Sequence, residues 1–314
     1  MTITQRIVPN IWSNGNAVEM GKFYEESLPN TTFKVESYYP TEGLLDFQEP
    51  LAGQPLTVTV MIEGTKLSLI NAGAEFHPTP AISFILNFDP TLTDMHSQTG
   101  DEAEAATRVV LERTWEALAA GGTVRMELAE YPFAKLYGWV EDRYGVNWQL
   151  MLTNPDGEPR PFVIPALMFG GRAQDKAAEA ADMYVELFSS LPGGASIGLR
   201  SPYGQATGPA SAEALAFGEF RVGEQWFMAS DFGAEHAFEF SEGVSLEVSC
   251  EGQVEIDRVW DALTAVPEAE ECGWLKDKYG VSWQVIPENI AELLTHPDAF
   301  EHLLAMKKLQ ISDF

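Results

Sequence analysis

The sequence predicts an α+β fold made of two tandem modules, each with two βαβββ units that form a curved, mostly antiparallel sheet with helices outside. Three observations support this fold class. The chain of 314 residues is long enough for two domains. A twelve-residue segment occurs twice, and stretches with helical and strand periodicity follow one another in the same order in both halves.

The repeated segment reads GWVEDRYGVNWQ at residues 138–149 and GWLKDKYGVSWQ at residues 273–284. Eight of the twelve positions are identical, including two tryptophans, two glycines and a glutamine at fixed spacing. Such a match is hard to obtain by chance. We therefore interpret the chain as an internal duplication.

The elements that precede this segment also occur twice. Each copy opens with a short apolar strand that contains proline, at residues 7–12 and 163–168, and a polar or glycine-rich turn then leads into a helix. Farther along each copy, apolar residues spaced i, i+4, i+7 predict another helix with one apolar stripe. These residues are Leu111, Trp115 and Leu118 in the first copy and Ile256, Trp260 and Leu263 in the second.

The middle of each copy has the alternation that is typical of strands. Residues 56–70 and 215–229 each predict a hairpin that turns at a glycine, and residues 82–88 and 244–250 predict further strands. The order in each copy is therefore strand, helix, three strands, then strand, helix and two or three strands. This order gives two βαβββ units per copy and four in the chain.

The segment 154–161 is rich in turn-forming residues and is the natural linker between the copies. A second irregular stretch, residues 89–101, is expected to be a surface loop within the first copy. The resulting boundaries are 1–154 for the first module, 160–290 for the second and 291–314 for a C-terminal tail.

Composition limits the classes of function. The chain has 19 Lys and Arg against 47 Asp and Glu, a net charge of −28, so binding to nucleic acid or to an anionic membrane surface is not expected. Its two cysteines, Cys250 and Cys272, are too few for a disulfide framework and lack metal-type spacing. We find no signal-peptide pattern and no apolar run long enough to span a membrane, so we expect a cytoplasmic location.

Several segments resemble one known family. They include Ile7-Val8-Pro9, Phe23-Tyr24, residues 80–84 and the two Gly-Trp…Asp…Gly…Trp-Gln segments. The family is that of PhnB-like proteins, also described as 3-demethylubiquinone-9 3-methyltransferase domains. It belongs to the vicinal-oxygen-chelate superfamily of glyoxalases, bleomycin-resistance proteins and extradiol dioxygenases. The resemblance covers nearly the whole chain in two copies, and residues 288–309 resemble the helical tail of that family.

The methyltransferase activity in this family description is not expected here. A methyl donor such as S-adenosylmethionine usually needs a glycine-rich turn between strand and helix in a parallel, doubly wound sheet. The pairs Gly121-Gly122 and Gly193-Gly194 do not follow a buried parallel strand and are better explained as turn residues. The sequence therefore leaves open whether the protein is an enzyme.

The superfamily resemblance implies a divalent metal held by His and Glu on the concave face of the sheet. Counting back fifteen residues from Tyr24 places Pro9 at the position of the first-strand His, and strand alignment gives Pro165 as its equivalent in the second copy. Counting from Asp142 and Asp277 places Gln149 and Gln284 at the position of the last-strand Glu. Proline cannot bind a metal and a carboxamide is a weak ligand. We therefore expect no metal and no other cofactor. The fifth strands offer Ala81 or Ser83, and Val244 or Ser245, in place of another His.

Strand alternation predicts which side chains line a pocket. If Gln149 faces the concave side, Asn147 and Met151 do so too, whereas Trp148 and Leu150 face the helices. The result is an apolar cleft with a few neutral hydrogen-bonding groups, which suits a small, partly apolar ligand. The predicted pocket residues are Pro9, Ile11, Ser83, Asn147, Gln149 and Met151, together with Pro165, Leu167, Ser245, Ser282, Gln284 and Ile286.

Three functions are compatible with this sequence. The first is binding of a small molecule without metal. The second is a metal-dependent lyase, isomerase or dioxygenase reaction, and the third is an interaction module whose sheets serve only dimerisation and whose cavities are filled by side chains. The oligomeric state stays open, because a homo-oligomer and pairing of the two modules within one chain are both compatible with the repeat. Fold analogy alone cannot decide among these functions.

Overall fold

The computed structural model describes residues 5–46, 48–91, 100–153, 159–234, 238–296 and 298–314. Parts of the predicted loop 89–101 and of the predicted linker 154–161 lie outside these ranges. Within the described residues, no helix is long and apolar enough to cross a membrane.

The order of elements agrees with the predicted α+β fold and its four units, the last of which has two strands after its helix instead of three. The first copy contains β1 (Ile7–Asn14), α1 (Ala17–Ser27), β2 (Thr31–Tyr38), β3 (Pro55–Ile62), β4 (Thr65–Ala72), β5 (Ile82–Phe88), α2 (Asp101–Ala119), β6 (Thr123–Tyr131), β7 (Ala134–Glu141) and β8 (Asn147–Leu152). The second contains β9 (Val163–Phe169), α3 (Ala177–Phe188), β10 (Ala195–Pro202), β11 (Leu215–Val222), β12 (Gln225–Asp231), β13 (Val244–Cys250), α4 (Gly252–Leu263), β14 (Trp274–Lys276) and β15 (Ser282–Pro287). The tail forms α5 (Ile290–Leu293) and α6 (Ala299–Ala305).

The strands form two large sheets, and each sheet joins one unit from each copy. The seven-stranded sheet has the order β14-β15-β13-β1-β4-β3-β2, and the eight-stranded sheet has the order β10-β11-β12-β9-β5-β8-β7-β6. The antiparallel pairs β1–β13 and β5–β9 connect the halves. This arrangement corrects the expectation that the two units of one copy share a sheet. The first strand of each unit would otherwise be an unpaired edge, and it pairs with the first strand of a unit from the other copy.

The hydrophobic cores follow the copies, although the sheets do not. One core is built almost entirely from residues between Ile11 and Val163, and the other almost entirely from residues between Leu167 and Val285. The helix-facing sides of the two units of one copy therefore share a core, while their strands belong to different sheets. Each concave face is therefore built from both copies, because each sheet contains strands from both.

A buried aspartate has the same structural role in both copies of the twelve-residue segment. Asp142 accepts hydrogen bonds from Tyr24 Oη at 2.8 Å and from Trp148 Nε1 at 2.9 Å, and also from the backbone N–H groups of Tyr144 and Val146. Asp277 repeats this arrangement in the second copy. Its partners are Tyr184, Trp283, Tyr279 and Val281.

These carboxylates therefore fasten the first helix of each copy to its last strand. The Asp, Trp and backbone turn of the repeated segment are structural parts of the cores. Desolvation by burial raises the pKa of both Asp142 and Asp277, against the opposing effect of their hydrogen bonds.

Candidate functional site

Each sheet has one face covered by helices and one concave face. Ile7 and Ile11 belong to the hydrophobic cores, so Val8 and Asn10 on the same strand point to the concave side. Leu167 on β9 belongs to a hydrophobic core, so strand alternation places its neighbour Ala166 on the concave side of the eight-stranded sheet.

This register corrects four of the predicted pocket residues. Ile11 and Leu167 are fully buried in the hydrophobic cores, and Pro9 and Pro165 share their parity on β1 and β9. The count back from Tyr24, and the strand alignment that carried it to the second copy, were thus one residue away from the concave side. A shift of one residue moves a side chain to the opposite face. The concave positions on these strands are held by Asn10 and Ala166.

We call the concave face of the eight-stranded sheet the apolar cleft. Its floor is a small cluster separate from the two large cores, formed by buried Ile85, Ile164 and Ala166 with partly exposed Trp226 and Met228 packed against them. Apolar side chains at the centre of a concave face provide the surface that a small apolar ligand needs.

Hydrogen-bonded side chains line one side of the apolar cleft. Tyr137 Oη donates to Gln149 Oε1 at 2.6 Å, and Gln149 Nε2 donates to Ser83 Oγ at 2.8 Å. Trp139 Nε1 donates to Asn147 Oδ1 at 3.1 Å. Burial raises the pKa of the Tyr137 phenol, so this group is a neutral hydrogen-bond donor at physiological pH. These contacts hold polar groups in fixed positions beside the apolar floor.

The opposite side of the apolar cleft contains a stacked arginine. The Arg160 guanidinium carbon lies 3.8 Å from the centroid of the Trp226 ring, and Arg160 also forms an ion pair with Glu219 at 3.1 Å. An arginine above the face of a tryptophan is an attractive cation–π contact. Arg160 therefore holds Trp226 in place at this side of the floor.

We call the concave face of the seven-stranded sheet the polar cleft. One row of small polar side chains crosses five neighbouring strands there, and all of them are buried. The row consists of Ser282, Ser245, Asn10, Ser68 and Thr59. As in the other sheet, a glutamine binds a serine, because Gln284 Nε2 donates to Ser245 Oγ at 2.9 Å.

A carboxylate in the polar cleft was missed by the sequence analysis. Glu247 lies two residues after Ser245 on β13 and is partly exposed, and its Oε2 accepts a hydrogen bond from Asn10 Nδ2 at 3.1 Å. Burial raises the pKa of Glu247, and the nearby Lys66 opposes this effect. The strand parity that places Ser245 in the cleft also places Glu247 there, but no motif marks this residue.

The remaining predicted residues follow the same alternation. Met151 lies two residues after Gln149 on β8, pairs with Tyr137 and with Asn87, and is partly exposed. Ile286 pairs with Ser249 and is also partly exposed. Both side chains therefore lie at the ends of the concave faces.

The side chains present do not fit the metal site that the resemblance implies. In the apolar cleft the nearest donors are the Gln149 carboxamide and the Ser83 hydroxyl, and these groups bind each other. The polar cleft repeats this pair with Gln284 and Ser245 and adds two carboxylates, Glu247 and Glu36, the second of which binds Thr59 and pairs with Lys34. Among the described residues, no three His, Cys, Asp or Glu side chains converge. Neutral amides and hydroxyls are weak ligands for transition metals.

Comparison with known proteins identifies relatives of this chain. A family model described as 3-demethylubiquinone-9 3-methyltransferase matches residues 5–151 and again residues 161–286. No curated protein matches the sequence.

Solved structures also resemble this chain. A putative 3-demethylubiquinone-9 3-methyltransferase, the PhnB protein from Bacillus cereus, is 25% identical over 48% of this chain and 100% of its own, with a TM-score of 0.36. Protein PA1353 from Pseudomonas aeruginosa is 22% identical over 48% of this chain and 98% of its own, with a TM-score of 0.33. Glyoxalase I from Zea mays is 10% identical over 95% of this chain and 97% of its own, with a TM-score of 0.47.

Proposed function

Since the chain belongs to the 3-demethylubiquinone-9 3-methyltransferase family over both of its copies, we propose that it binds a small, partly apolar molecule in the apolar cleft without a metal. The observation that carries this proposal is the separate cluster of Ile85, Ile164 and Ala166 on a concave face. Apolar groups there are covered neither by a helix nor by either large core. These three side chains are at most 6% exposed, so the surface that a ligand would remove from water is that of the partly exposed Trp226 and Met228 packed against them, at about 25 cal/mol for each Å² buried.

The polar groups beside the floor would give such a ligand its orientation. The fully buried Ser83 hydroxyl accepts a hydrogen bond from Gln149 and so fixes the orientation of this carboxamide. The second N–H of the Gln149 carboxamide is also a donor. A carbonyl or hydroxyl oxygen at one end of the ligand fits this donor, while its apolar part covers Trp226 and Met228.

The proposal is tested by binding of defined compounds. We would titrate the purified protein with a panel of small aromatic and alicyclic ketones and alcohols and follow its melting temperature. A ligand that binds only the folded state raises this temperature with increasing concentration. We expect at least one ketone to give a saturable rise, and Ile85→Glu to abolish it because a charge then lies on the apolar floor.

The matched control is Glu247→Ile, which changes the equivalent position of the polar cleft. Ser83 and Ser245 occupy the same place in their sheets, and Ile85 and Glu247 each follow two residues later. We expect Glu247→Ile to leave ketone binding unchanged. If no compound shifts the melting temperature, or if Glu247→Ile weakens binding as much as Ile85→Glu, the apolar cleft is not the ligand site.

The competing hypothesis, a metal-dependent enzyme, makes the opposite prediction about metal content. We expect elemental analysis of the purified protein to find metal well below one ion per chain, and we expect a strong chelator to leave its melting temperature unchanged. A metal bound through protein ligands would stabilise the folded state, so its removal would lower that temperature. Near-stoichiometric zinc, nickel, manganese or iron would contradict the proposal.

The variant Gln149→Glu extends this metal test. It restores one carboxylate to the apolar cleft, but Ala166 and Ser83 still supply no second strong ligand. We expect this variant to bind zinc no more tightly than the unmodified protein when both are titrated by calorimetry. Tight binding by the variant would show that further metal ligands reach the cleft.

A further inference from the structure

We propose that the polar cleft is a second, independent binding site, and that it takes a small zwitterion with an ammonium group and a carboxylate at the two ends of a short apolar chain. This inference does not depend on the ligand of the apolar cleft. It depends on Glu247, Lys66 and the neighbouring row of small polar side chains that contains Asn10 and Ser68.

The two charged groups lie on either side of one apolar residue. Val8 pairs with Glu247 across β1 and β13, and Lys66 lies on β4, the other neighbour of β1, two residues before Ser68. Since neighbouring strands are about 4.8 Å apart, the backbones of Glu247 and Lys66 are separated by roughly 10 Å. They do not form an ion pair with each other, and within the described part of the chain Lys66 has no ion-pair partner.

The surrounding groups suit a ligand of this type. Asn10 holds one oxygen of Glu247, which orients the carboxylate and leaves its other oxygen for an ammonium group. Val8, which is 4% exposed, separates the two charged side chains with an apolar group. Ser68, in the next row, has no hydrogen-bond partner for its hydroxyl among the described residues and would serve as a further donor to the ligand carboxylate.

Aromatic rings form one side of this cleft. The rings of Trp12 and Phe76 are 5.0 Å apart between centroids, and those of Trp12 and Trp274 are 6.1 Å apart. All three residues are partly exposed. Trp12 lies four residues along β1 from Val8, roughly 13 Å away, so these rings close the far end of the cleft and do not contact the two charged groups.

The equivalent positions of the apolar cleft have none of this chemistry. Glu247 corresponds to Ile85, Lys66 to Trp226 and Asn10 to Ala166, as the matching registers of the two sheets show. The two clefts share the Gln–Ser hydrogen bond and the tryptophan that pairs with this glutamine, Trp139 in one cleft and Trp274 in the other. After duplication, one chain has therefore kept two concave faces whose side chains select ligands of opposite polarity.

The test uses a series of ω-amino acids as probes. We would titrate the full-length protein by calorimetry with 4-aminobutanoate, 5-aminopentanoate and 6-aminohexanoate, and with pentylamine and pentanoate as single-charge controls. We expect one chain length in the series to bind best and the two controls to bind at least about tenfold more weakly, because each lacks one charge-assisted hydrogen bond. Absence of binding by all three ω-amino acids, or equal affinity for pentylamine, would overturn the proposal.

Variants assign the binding to the two charges. Glu247→Gln and Lys66→Met keep the size of the side chains and are each expected to weaken binding of the best ω-amino acid about tenfold or more. The matched controls are Glu26→Gln and Lys22→Met, which remove an exposed charge pair from α1 and are expected to change nothing. Ile85→Glu should also have no effect, which separates this site from the apolar cleft.

The folding of each variant would be checked by its melting curve before titration. Should one of the two cleft variants fail to fold, the other decides the assignment, since the charges lie on different strands. Full affinity in either folded cleft variant would place the ω-amino acid elsewhere and overturn the proposal.

Discussion

Replacing Trp283 by alanine is expected to lower the free energy of unfolding by about 3–5 kcal/mol. The ring is 1% exposed and packs against Tyr184 at 5.2 Å and Phe188 at 6.0 Å between ring centroids. Its Nε1 donates to the buried carboxylate of Asp277. The substitution therefore leaves a large cavity in the second core and also removes one hydrogen bond from a buried acceptor.

Chemical denaturation followed by circular dichroism measures this loss. Trp274→Ala is the matched control, because this tryptophan is partly exposed and lies on the short strand β14 at the edge of its sheet. We expect the control to lose much less stability. A Trp283 variant as stable as the control would show that the core refills the cavity, and the ring would then not be the anchor of the second copy.

Replacing Asp142 by alanine is expected to cost at least about 4 kcal/mol, although the residue removed is hydrophilic. The change leaves four donors without an acceptor: Tyr24 Oη, Trp148 Nε1 and the backbone N–H groups of Tyr144 and Val146. Each buried donor without a partner costs about 1–3 kcal/mol. A cavity of the size of a carboxylate adds to this cost.

The comparison variant is Asp261→Ala. Asp261 is 70% exposed on α4 and pairs only with Lys308, so its removal should have little effect on stability. Asp142→Asn is expected to be intermediate, since one side of an amide repeats the carboxylate oxygen while the other presents N–H groups to donors. Equal stability of Asp142→Ala and Asp261→Ala would mean that the repeated aspartate does not hold α1 to β8.

The individual helices and hairpins could be predicted from the sequence because the residues that specify each of them are close together along the chain. The hairpin of β3 and β4 turns at Gly64, whose φ of 82° favours glycine, between two apolar alternating runs. The helical stripe of Ile256, Trp260 and Leu263 is buried as its spacing predicts. In each case the interacting residues are close in sequence, so pattern alone fixes the element.

The candidate site was harder to predict because it depends on register. Counting from a family pattern gave Pro9 and Pro165, whereas the structure has Asn10 and Ala166 on the concave faces. Only the tertiary packing shows that Ile11 belongs to a hydrophobic core and that Pro9 lies on the same side of β1. Glu247 was missed for the same reason, since the hydrogen bond that fixes its carboxylate comes from Asn10, which lies 237 residues away along the chain.

The sequence by itself determined the duplication, the order of strands and helices, the aromatic anchors and the family of this protein. Each of these depends on residue types at fixed spacing, which the amino-acid sequence contains. The tertiary structure alone decided that β1 pairs with β13 and β5 with β9, so that each concave face draws on both copies. The repeat cannot specify this pairing, because the units are similar and any first strand offers the same unpaired backbone groups to another. Only the packing of whole units selects the partner, and that choice brings Glu247 beside Asn10 and Ile85 beside Ile164.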